Sequence, residues 1–318
     1  MMGVVQIDRK RLLQKVFNRG DELTLKNPKY LKYLEQITFF DLKIDLGEKG
    51  DITTKSIFNN DERKATAIIK SNESGVVAGL EEISWFYKKC GLEVKLLKKD
   101  GDELKRDDIL MEVNGSKKRL LEVKRTGLNL IQRMSGIATE TRSLVRKTAN
   151  KLILLPTRKT HKRFLDIKAV YIGGGGIHRL GLWDAVLIKK HHLKLMGQMG
   201  YENVIEEVID RVCKVKDKGR FVEIEVENKE DAIKAAKKFN ELGKGIFIIM
   251  LDNMSPKEIK SIIKELKMRE IYNHILLEAS GGINPMNIHE YVDLGLDAIS
   301  LGHLTHSSKS LDISEEIV

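Results

Sequence analysis

Chemically capable residues recur along the second half of this 318-residue chain, each following or ending a short apolar run. The run at 152–155 is followed by Arg158 and Lys159, and the run at 185–188 by Lys189. Glu225 lies inside the run at 222–226, and Asp252 closes the run at 246–251. Ser280, Gly281 and Gly282 follow residues 275–277, and Gly302 to His306 follow residues 298–301. Parallel α/β sheets place their active sites at the C-terminal ends of their strands, where this recurrence falls. Taken singly, each residue is equally well a solvated charge at a strand end; six in succession argue for a site. Arg158, Lys159, His178, Arg179 and Lys189 fall within 32 residues, and Arg125 precedes them. Gathered in a partly desolvated cleft they repel one another unless an anion neutralises them. Arginine forks suit carboxylate or phosphate and lysine adds a compact charge, so the mixture points to more than one anionic group. Glu225 and Asp252 suit sugar hydroxyls or a magnesium ion with its waters. Glycines at 173–176, 281–282 and 302 allow close backbone approach to a phosphate. Asn284 and Pro285 read as the cap and first position of a helix, a further anion site.

These residues need a scaffold that turns successive strand ends toward one mouth. Helix-length amphipathic segments separate several of the runs, including KEDAIKAAKKFNELG, SPKEIKSIIKELK and NPMNIHEYVDLG. Strands alternating with helices produce a parallel sheet or a (β/α) barrel. Six strands are expected, with a seventh at 169–172. The segment is too short for eight strands, so a smaller or incomplete barrel is expected. Ahead of it, ATAIIKS and EVKLL read as strands, VVAGLEEISWFYKKCG as a helix closed by Gly91, and 120–148 as a long amphipathic helix. Two short helices are expected within the first forty residues.

Composition limits the alternatives. The chain is 42% hydrophobic and 32% charged, which excludes a disordered chain, and no stretch approaches the length of a membrane span. The N-terminus lacks the apolar run of a signal peptide, giving a cytoplasmic expectation. Cys90 and Cys213 form neither a disulfide framework nor a zinc motif. The net charge of +10 admits nucleic acid, an anionic membrane surface or a small anionic substrate. Against a nucleic-acid groove stands the scarcity of aromatics among the clustered cations, only Phe164, Tyr171 and Trp183. From the residues, the reading ends at a site for a phosphorylated sugar and a second, carboxylated anion.

GDITT (50–54), GVVAGLEE (75–82), RTGLNLIQRMSGIATETR (125–142), TRKT (157–160), GGGGIHRLGLWDAVLIK (173–189), VEIEVEN (222–228), MLDNMSP (250–256), LLEASGGINPMNI (276–288) and LTHSSKSLDIS (304–314) together resemble the quinolinate phosphoribosyltransferase family. The likeness runs in order from about residue 40 to the C-terminus. It implies an α/β fold with an N-terminal α/β sandwich (1–127, joined by the tail 307–318) and a C-terminal irregular α/β barrel of fewer than eight strands (128–306). It also implies a homodimer with shared active sites, in which Arg125 serves the partner's site. Position by position, Arg125, Arg158, Lys159, His178, Arg179 and Lys189 resemble the quinolinate pocket. Lys159, Glu225, Asp252, Ser280, Gly281, Gly282, Gly302 and His306 resemble the contacts to phosphoribosyl pyrophosphate, with no direct metal ligand and Mg2+ held by way of Glu225, Asp252 and the substrate. Lys159, Glu225 and Asp252 carry the catalytic expectation.

The chain departs from the family pattern at Pro156, His161-Lys162-Arg163, Lys190-His191-His192 and His303. These changes are expected to make the rim of the pocket more basic, with His191 and His192 in a rim or packed role rather than in a metal pair. The competing readings are a diverged paralogue of the molybdenum-transport-associated type, a transferase for another pyridine carboxylate and, in a different class, a basic nucleic-acid-binding protein.

Overall fold

A computed structural model describes residues 9–59, 61 and 63–318. The first eight residues, with which the expected N-terminal domain begins, lie outside the described residues. In chain order the strands are β1 (Lys64–Ser71), β2 (Gly75–Val76), β3 (Glu93–Leu96), β4 (Glu103–Leu104), β5 (Ile109–Ser116), β6 (Ile153–Pro156), β7 (Val186–Ile188), β8 (Val222–Val226), β9 (Phe247–Asp252), β10 (Leu276–Ser280), β11 (Ala298–Leu301) and β12 (Ile313–Ile317). The helices are α1 (Arg9–Phe17), α2 (Pro28–Leu46), α3 (Ile52–Ile57), α4 (Leu80–Lys89), α5 (Lys117–Lys147), α6 (Arg163–Ile172), α7 (Lys190–Gln198), α8 (Val204–Lys214), α9 (Lys229–Leu242), α10 (Pro256–Met268) and α11 (His303–His306). None is long and apolar enough to cross a membrane, among the described residues.

Contacts divide the chain into two compact units. One comprises residues 20–143, 158–175 and 304–318; the other comprises, of the described residues, 9–19, 144–157 and 176–303. The expected boundary at 127/128 falls inside α5, a helix of 31 residues. Leu120, Val123, Leu128 and Ile131 of that helix belong to the core of the first unit, which explains why the helix crosses the expected boundary without a linker.

The first unit is built on the antiparallel sheet β12-β1-β5-β3. Its core draws Ala67, Ile69, Leu110, Met111 and Val113 from the sheet, Ile83, Phe86 and Tyr87 from α4, and the α5 residues just named. The C-terminal tail returns to this sheet, where β12 pairs with β1 from Ala67↔Ile317 to Ser71↔Ile313. Of the two helices expected near the N-terminus, the second is not short: α2 runs 19 residues. Asn27 caps it by accepting from the Lys29 amide, Pro28 opens it, and Gly47 closes it at φ +52°. A polar network ties three helices of this unit together. Tyr30 of α2 donates to Glu82 of α4 at 2.7 Å, and Lys168 of α6 donates to Glu82 at 2.6 Å and to Glu81 at 2.9 Å.

The second unit carries six parallel strands in the order β6-β11-β10-β9-β8-β7. Residues 169–172, expected as a seventh strand, are instead the last turn of α6 in the first unit. A four-residue apolar run cannot by itself distinguish a strand from the buried end of a helix. NPMNIHEYVDLG also departs from expectation: it forms turns and a short 3-10 segment, Ile288–Tyr291. Asn284 accepts from the Met286 amide at 2.8 Å in a tight side-chain turn, so no α-helix begins at Pro285 and no helix-end anion site arises there.

The sheet curls. Leu155, Ala298, Leu276 and Ile248, from β6, β11, β10 and β9, join Phe221 and Ala185, which lie immediately before β8 and β7, in one apolar cluster. Val16 and Phe17 of α1 complete that cluster. A flat sheet could not bring residues from all six positions together; a curved one closes its lower end on α1. Its two end strands, β6 and β7, are not paired with each other. The segment after the glycine run lies along one edge instead, with the Gly176 amide donating to the Leu154 carbonyl at 2.8 Å. A Cβ at Gly176 would come within 2.7 Å of Ile153 and 2.9 Å of Leu155. This last glycine of the run therefore serves close packing rather than a phosphate.

Candidate active site

Side chains alternate along a strand, so on β8 Glu223 and Glu225 share a face, as do Met250 and Asp252 on β9 and Glu278 and Ser280 on β10. Register places Glu225 opposite Met250 and Asp252 opposite Ser280. The second unit thus sets two acids and a serine at neighbouring strand ends. Lys189, directly after β7, brings its Nζ to 3.6 Å from Glu225 Oε2. Arg179 is buried, and its Nη1 donates to the Ala185 carbonyl at 3.3 Å.

Below Glu225 lies a layer that sequence reading only half identified. His178 Nε2 is 2.9 Å from Glu223 and 3.5 Å from Glu278, and both glutamates are fully buried. Register aligns Glu223 with Ile248 and Ile248 with Leu276, yet His178 joins Glu223 to Glu278, two residues further along. A shift of one residue per strand is the stagger of a tilted barrel. Burial alone would lower the pKa of His178, but the Glu223 and Glu278 carboxylates reverse this and raise it from 6.5 to about 10. Burial, with Glu278 beside it, raises Glu223 from 4.5 to about 6. The trio is the one group among the described residues with the spacing of a metal site. The 2.9 Å approach is an ion-pair distance, while His178 Nε2 and the carboxylate oxygens of Glu223 and Glu278 are buried without hydrogen-bond geometry to any partner. Glu278, an isolated acid in the apolar run LLEAS, was a legible signal, as was Glu223 in alternation with Glu225.

The backbone beside His178 is anchored by Arg19 and Asp184, which sequence reading also missed. Arg19 grips Asp184 with two bonds, at 2.9 and 2.8 Å, and donates to the His178 carbonyl at 2.9 Å. Asp184 in turn accepts from the Leu180 amide at 2.8 Å. This clamp holds the turn carrying His178 and Arg179.

The strand-end loops have their own constraints. Gly281 and Gly282 sit at φ +83° and +67°, a left-handed conformation that favours glycine. Gly281 lies against Asn253, whose amide donates to the Ser280 carbonyl at 2.8 Å and whose side chain donates to Asp252 at 2.8 Å. Gly302 directly follows β11. Lys190 was expected to add to a basic rim but is engaged by acids: its Nζ is 2.7 Å from Glu227 and 4.0 Å from Asp252. His192 Nδ1 accepts from the Lys189 amide at 2.8 Å, capping α7.

Arg125, Arg158, Lys159 and His306 belong to the first unit. Arg125 is exposed on α5 and lines a cavity of about 340 Å3 with Asp41, Ile44, Asp45, Thr126, Asn129 and Lys162. Lys162, another of the basic departures, is ion-paired with Asp41 and so adds little net charge. Arg158 keeps Nε buried without a hydrogen-bond partner, while Lys159 is exposed. His306 is exposed with Nδ1 2.5 Å from the Ser307 hydroxyl. The segments bearing Lys159 and His306 meet within this unit, because the Thr305 hydroxyl donates to the Lys159 carbonyl at 2.7 Å.

Comparison with known proteins agrees with this architecture. Family models described as the N-terminal and C-terminal domains of quinolinate phosphoribosyl transferase match residues 51–135 and 137–316. A probable nicotinate-nucleotide pyrophosphorylase [carboxylating] of Methanothermobacter thermautotrophicus is 37% identical over 281 residues, covering 87% of this chain and 96% of its own. The Bacillus subtilis protein of the same description is 36% identical over 278 residues, covering 86% of this chain and 89% of its own. The crystal structure of NadC from Streptococcus pyogenes superposes with a TM-score of 0.78 at 31% identity, covering 90% of this chain and 96% of that one. By sequence across both halves and by fold, the chain belongs to the quinolinate phosphoribosyltransferase family.

Proposed function

We propose that this protein is an enzyme of NAD biosynthesis, a pentosyltransferase that moves the phosphoribosyl group of phosphoribosyl pyrophosphate to quinolinate. The products are nicotinate mononucleotide, CO2 and pyrophosphate. The observation that carries this reading is the joint presence of His178, Arg179 and Lys189 with Glu225, Asp252 and Ser280 in one parallel-stranded unit of a chain in this family. The cations suit a dicarboxylate, and the acids suit ribose hydroxyls.

The pyridine nitrogen attacks ribose C1 as pyrophosphate departs, through a transition state with positive charge on the sugar; the 2-carboxylate is then lost as CO2. No strong base or nucleophile is needed, so the work is positioning and charge. Arg179 and Lys189, with His178 kept protonated by its two glutamates, hold the carboxylates of quinolinate. Arg158 adds to that pocket from the loop after β6, and Lys159 offsets charge on the leaving pyrophosphate. Glu225 and Asp252 hold the ribose hydroxyls and stand near the developing positive charge. Ser280, Gly281, Gly282, Gly302 and His306 receive the 5-phosphate. Loss of CO2 leaves its electron pair on C2, stabilised by the adjacent positively charged ring nitrogen, and C2 then takes a proton from solvent to give nicotinate mononucleotide.

Glu225 and Asp252 also fit Mg2+. They supply two carboxylates on adjacent strands, β8 and β9. Magnesium typically binds through one or two carboxylates, keeping several waters and substrate phosphate oxygens. Bound there, the ion would neutralise charge on the pyrophosphate. The enzyme acts as a homodimer in this reading, with Arg125 of one copy completing the other's quinolinate pocket.

Incubation of the purified protein with quinolinate, phosphoribosyl pyrophosphate and Mg2+ is expected to release nicotinate mononucleotide and CO2. Turnover of nicotinate or another pyridine acid without turnover of quinolinate would overturn the substrate assignment. Arg179→Ala is expected to raise the KM for quinolinate roughly 10- to 100-fold while leaving that for phosphoribosyl pyrophosphate nearly unchanged. Equal increases for both substrates would remove Arg179 from the carboxylate pocket.

A further inference from the structure

The loop carrying Arg158 and Lys159 is held by residues to which the proposed chemistry gives no role. Asp166, in the first turn of α6, is completely buried. Arg133 of α5 reaches it with two bonds, Nε to Oδ1 at 2.8 Å and Nη2 to Oδ2 at 2.6 Å. The Thr160 hydroxyl and, at 3.3 Å, the Lys162 amide donate to the same carboxylate. Arg133 Nη2 also donates to the Thr305 carbonyl at 3.0 Å, and the Thr305 hydroxyl donates to the Lys159 carbonyl at 2.7 Å. The contacts close into a ring: Lys159 to Thr160 through the peptide bond, then Asp166, Arg133, Thr305 and back to Lys159. Every member lies in the first unit.

This ring constrains the backbone of Lys159 from both sides. Its carbonyl is taken by Thr305, and the hydroxyl of the next residue is taken by Asp166. The side chain of Lys159 is thereby left exposed above a peptide that cannot readily turn. Burial makes the constraint strong, because Asp166 has no water to substitute for a lost donor and Thr305 is 1% exposed. An ordinary loop tether needs one bond; here one carboxylate accepts four donors from α5, the loop and the start of α6.

We propose that Arg133, Asp166 and Thr305 are positioning residues that act through Lys159, setting its ammonium for the phosphoribosyl-transfer chemistry; the inference rests on the role given to Lys159 above. A displacement of about 1 Å at a charged catalytic group can cost on the order of 100-fold in rate. Asp166→Asn keeps the size of the side chain but removes the charge that gathers the donors. Thr305→Val removes only the hydroxyl over Lys159. Asp166→Asn is expected to lower kcat/KM roughly 100-fold, and Thr305→Val about tenfold.

The decisive measurement places each substitution in a Lys159→Ala background. If the residues act through Lys159, both penalties shrink to less than about threefold there. Penalties of the same size in both backgrounds would show a merely structural role and overturn the proposal, as would the absence of a penalty in the otherwise native enzyme. Should Asp166→Asn fail to fold, Thr305→Val carries the test alone. The same cycle is read on pyrophosphate affinity by calorimetry, without turnover. An enzyme that binds pyrophosphate but does not use quinolinate would overturn the reaction assignment, while this binding cycle would still decide the positioning role.

Discussion

At the scale of single residues, a buried charge in this protein is either matched closely or left at a cost. His178 is matched. Its raised pKa means that its contribution to stability is complete below pH 6.5 and is lost as pH rises through about 10, so the imidazolium persists across the neutral range. Asp100 is not matched. Its Oδ1 accepts the Leu80 amide at 2.9 Å, but Oδ2 is buried without a partner. Burial first, and the neighbouring Glu82 carboxylate second, raise Asp100 from 3.8 to about 7. An acid raised in the folded state favours folding below its ordinary value and loses that contribution as pH rises through about 7. Asp100→Asn keeps the acceptor for Leu80 and removes the charge, so its Tm is expected to exceed that of the native protein by more at pH 8 than at pH 5. Melting curves at the two pH values check this; an equal difference at both would show that Asp100 does not titrate as described.

At the scale of elements, the strand ends depend on turns that admit glycine and little else. A Cβ at Gly281 would lie 2.3 Å from Asn253 Oδ1 and 2.8 Å from its backbone nitrogen, whereas one at Gly282 would meet open space. Gly281→Ala is therefore expected to cost about 2–4 kcal/mol and Gly282→Ala only about 1 kcal/mol, the cost of left-handed backbone alone. Urea unfolding of the two variants tests the contrast, and equal losses would remove the packing against Asn253 as its cause. Several strands were plain in the sequence: 298–301 coincides with β11, and 222–226, in which apolar residues alternate with Glu223 and Glu225, coincides with β8. The run AVYI at 169–172 misled because its pattern suits the end of a buried helix equally well. The ring around Asp166 was illegible for a different reason. Arg133 lies 33 residues before Asp166 and Thr305 lies 172 after Arg133, and no local pattern announces contacts over such separations.

At the scale of the whole molecule, the homodimer reading makes a specific demand. Arg125→Ala subunits and Lys159→Ala subunits are each expected to be nearly inactive alone, yet mixed dimers would contain one site with both residues intact. Recovery of up to a quarter of native activity after subunit exchange is the expected outcome, from the statistics of random pairing in which half the dimers are mixed and each has one good site. No recovery despite demonstrated exchange would place Arg125 in its own subunit's site or in none. The open seam between β6 and β7 has a consequence in time rather than in space. Strands at the end of a sheet lose hydrogen-bonded partners before central ones do, so amide exchange is expected to be faster in β6 and β7 than in β8, β9 and β10. Glu225 and Asp252, proposed above to hold the ribose, are borne by central strands, whereas Lys189 follows one end strand directly and Arg158 and Lys159 follow the other. On warming toward the melting transition, the end-strand residues proposed to grip the diacid would therefore slacken while the strands bearing the proposed ribose contacts still held their shape.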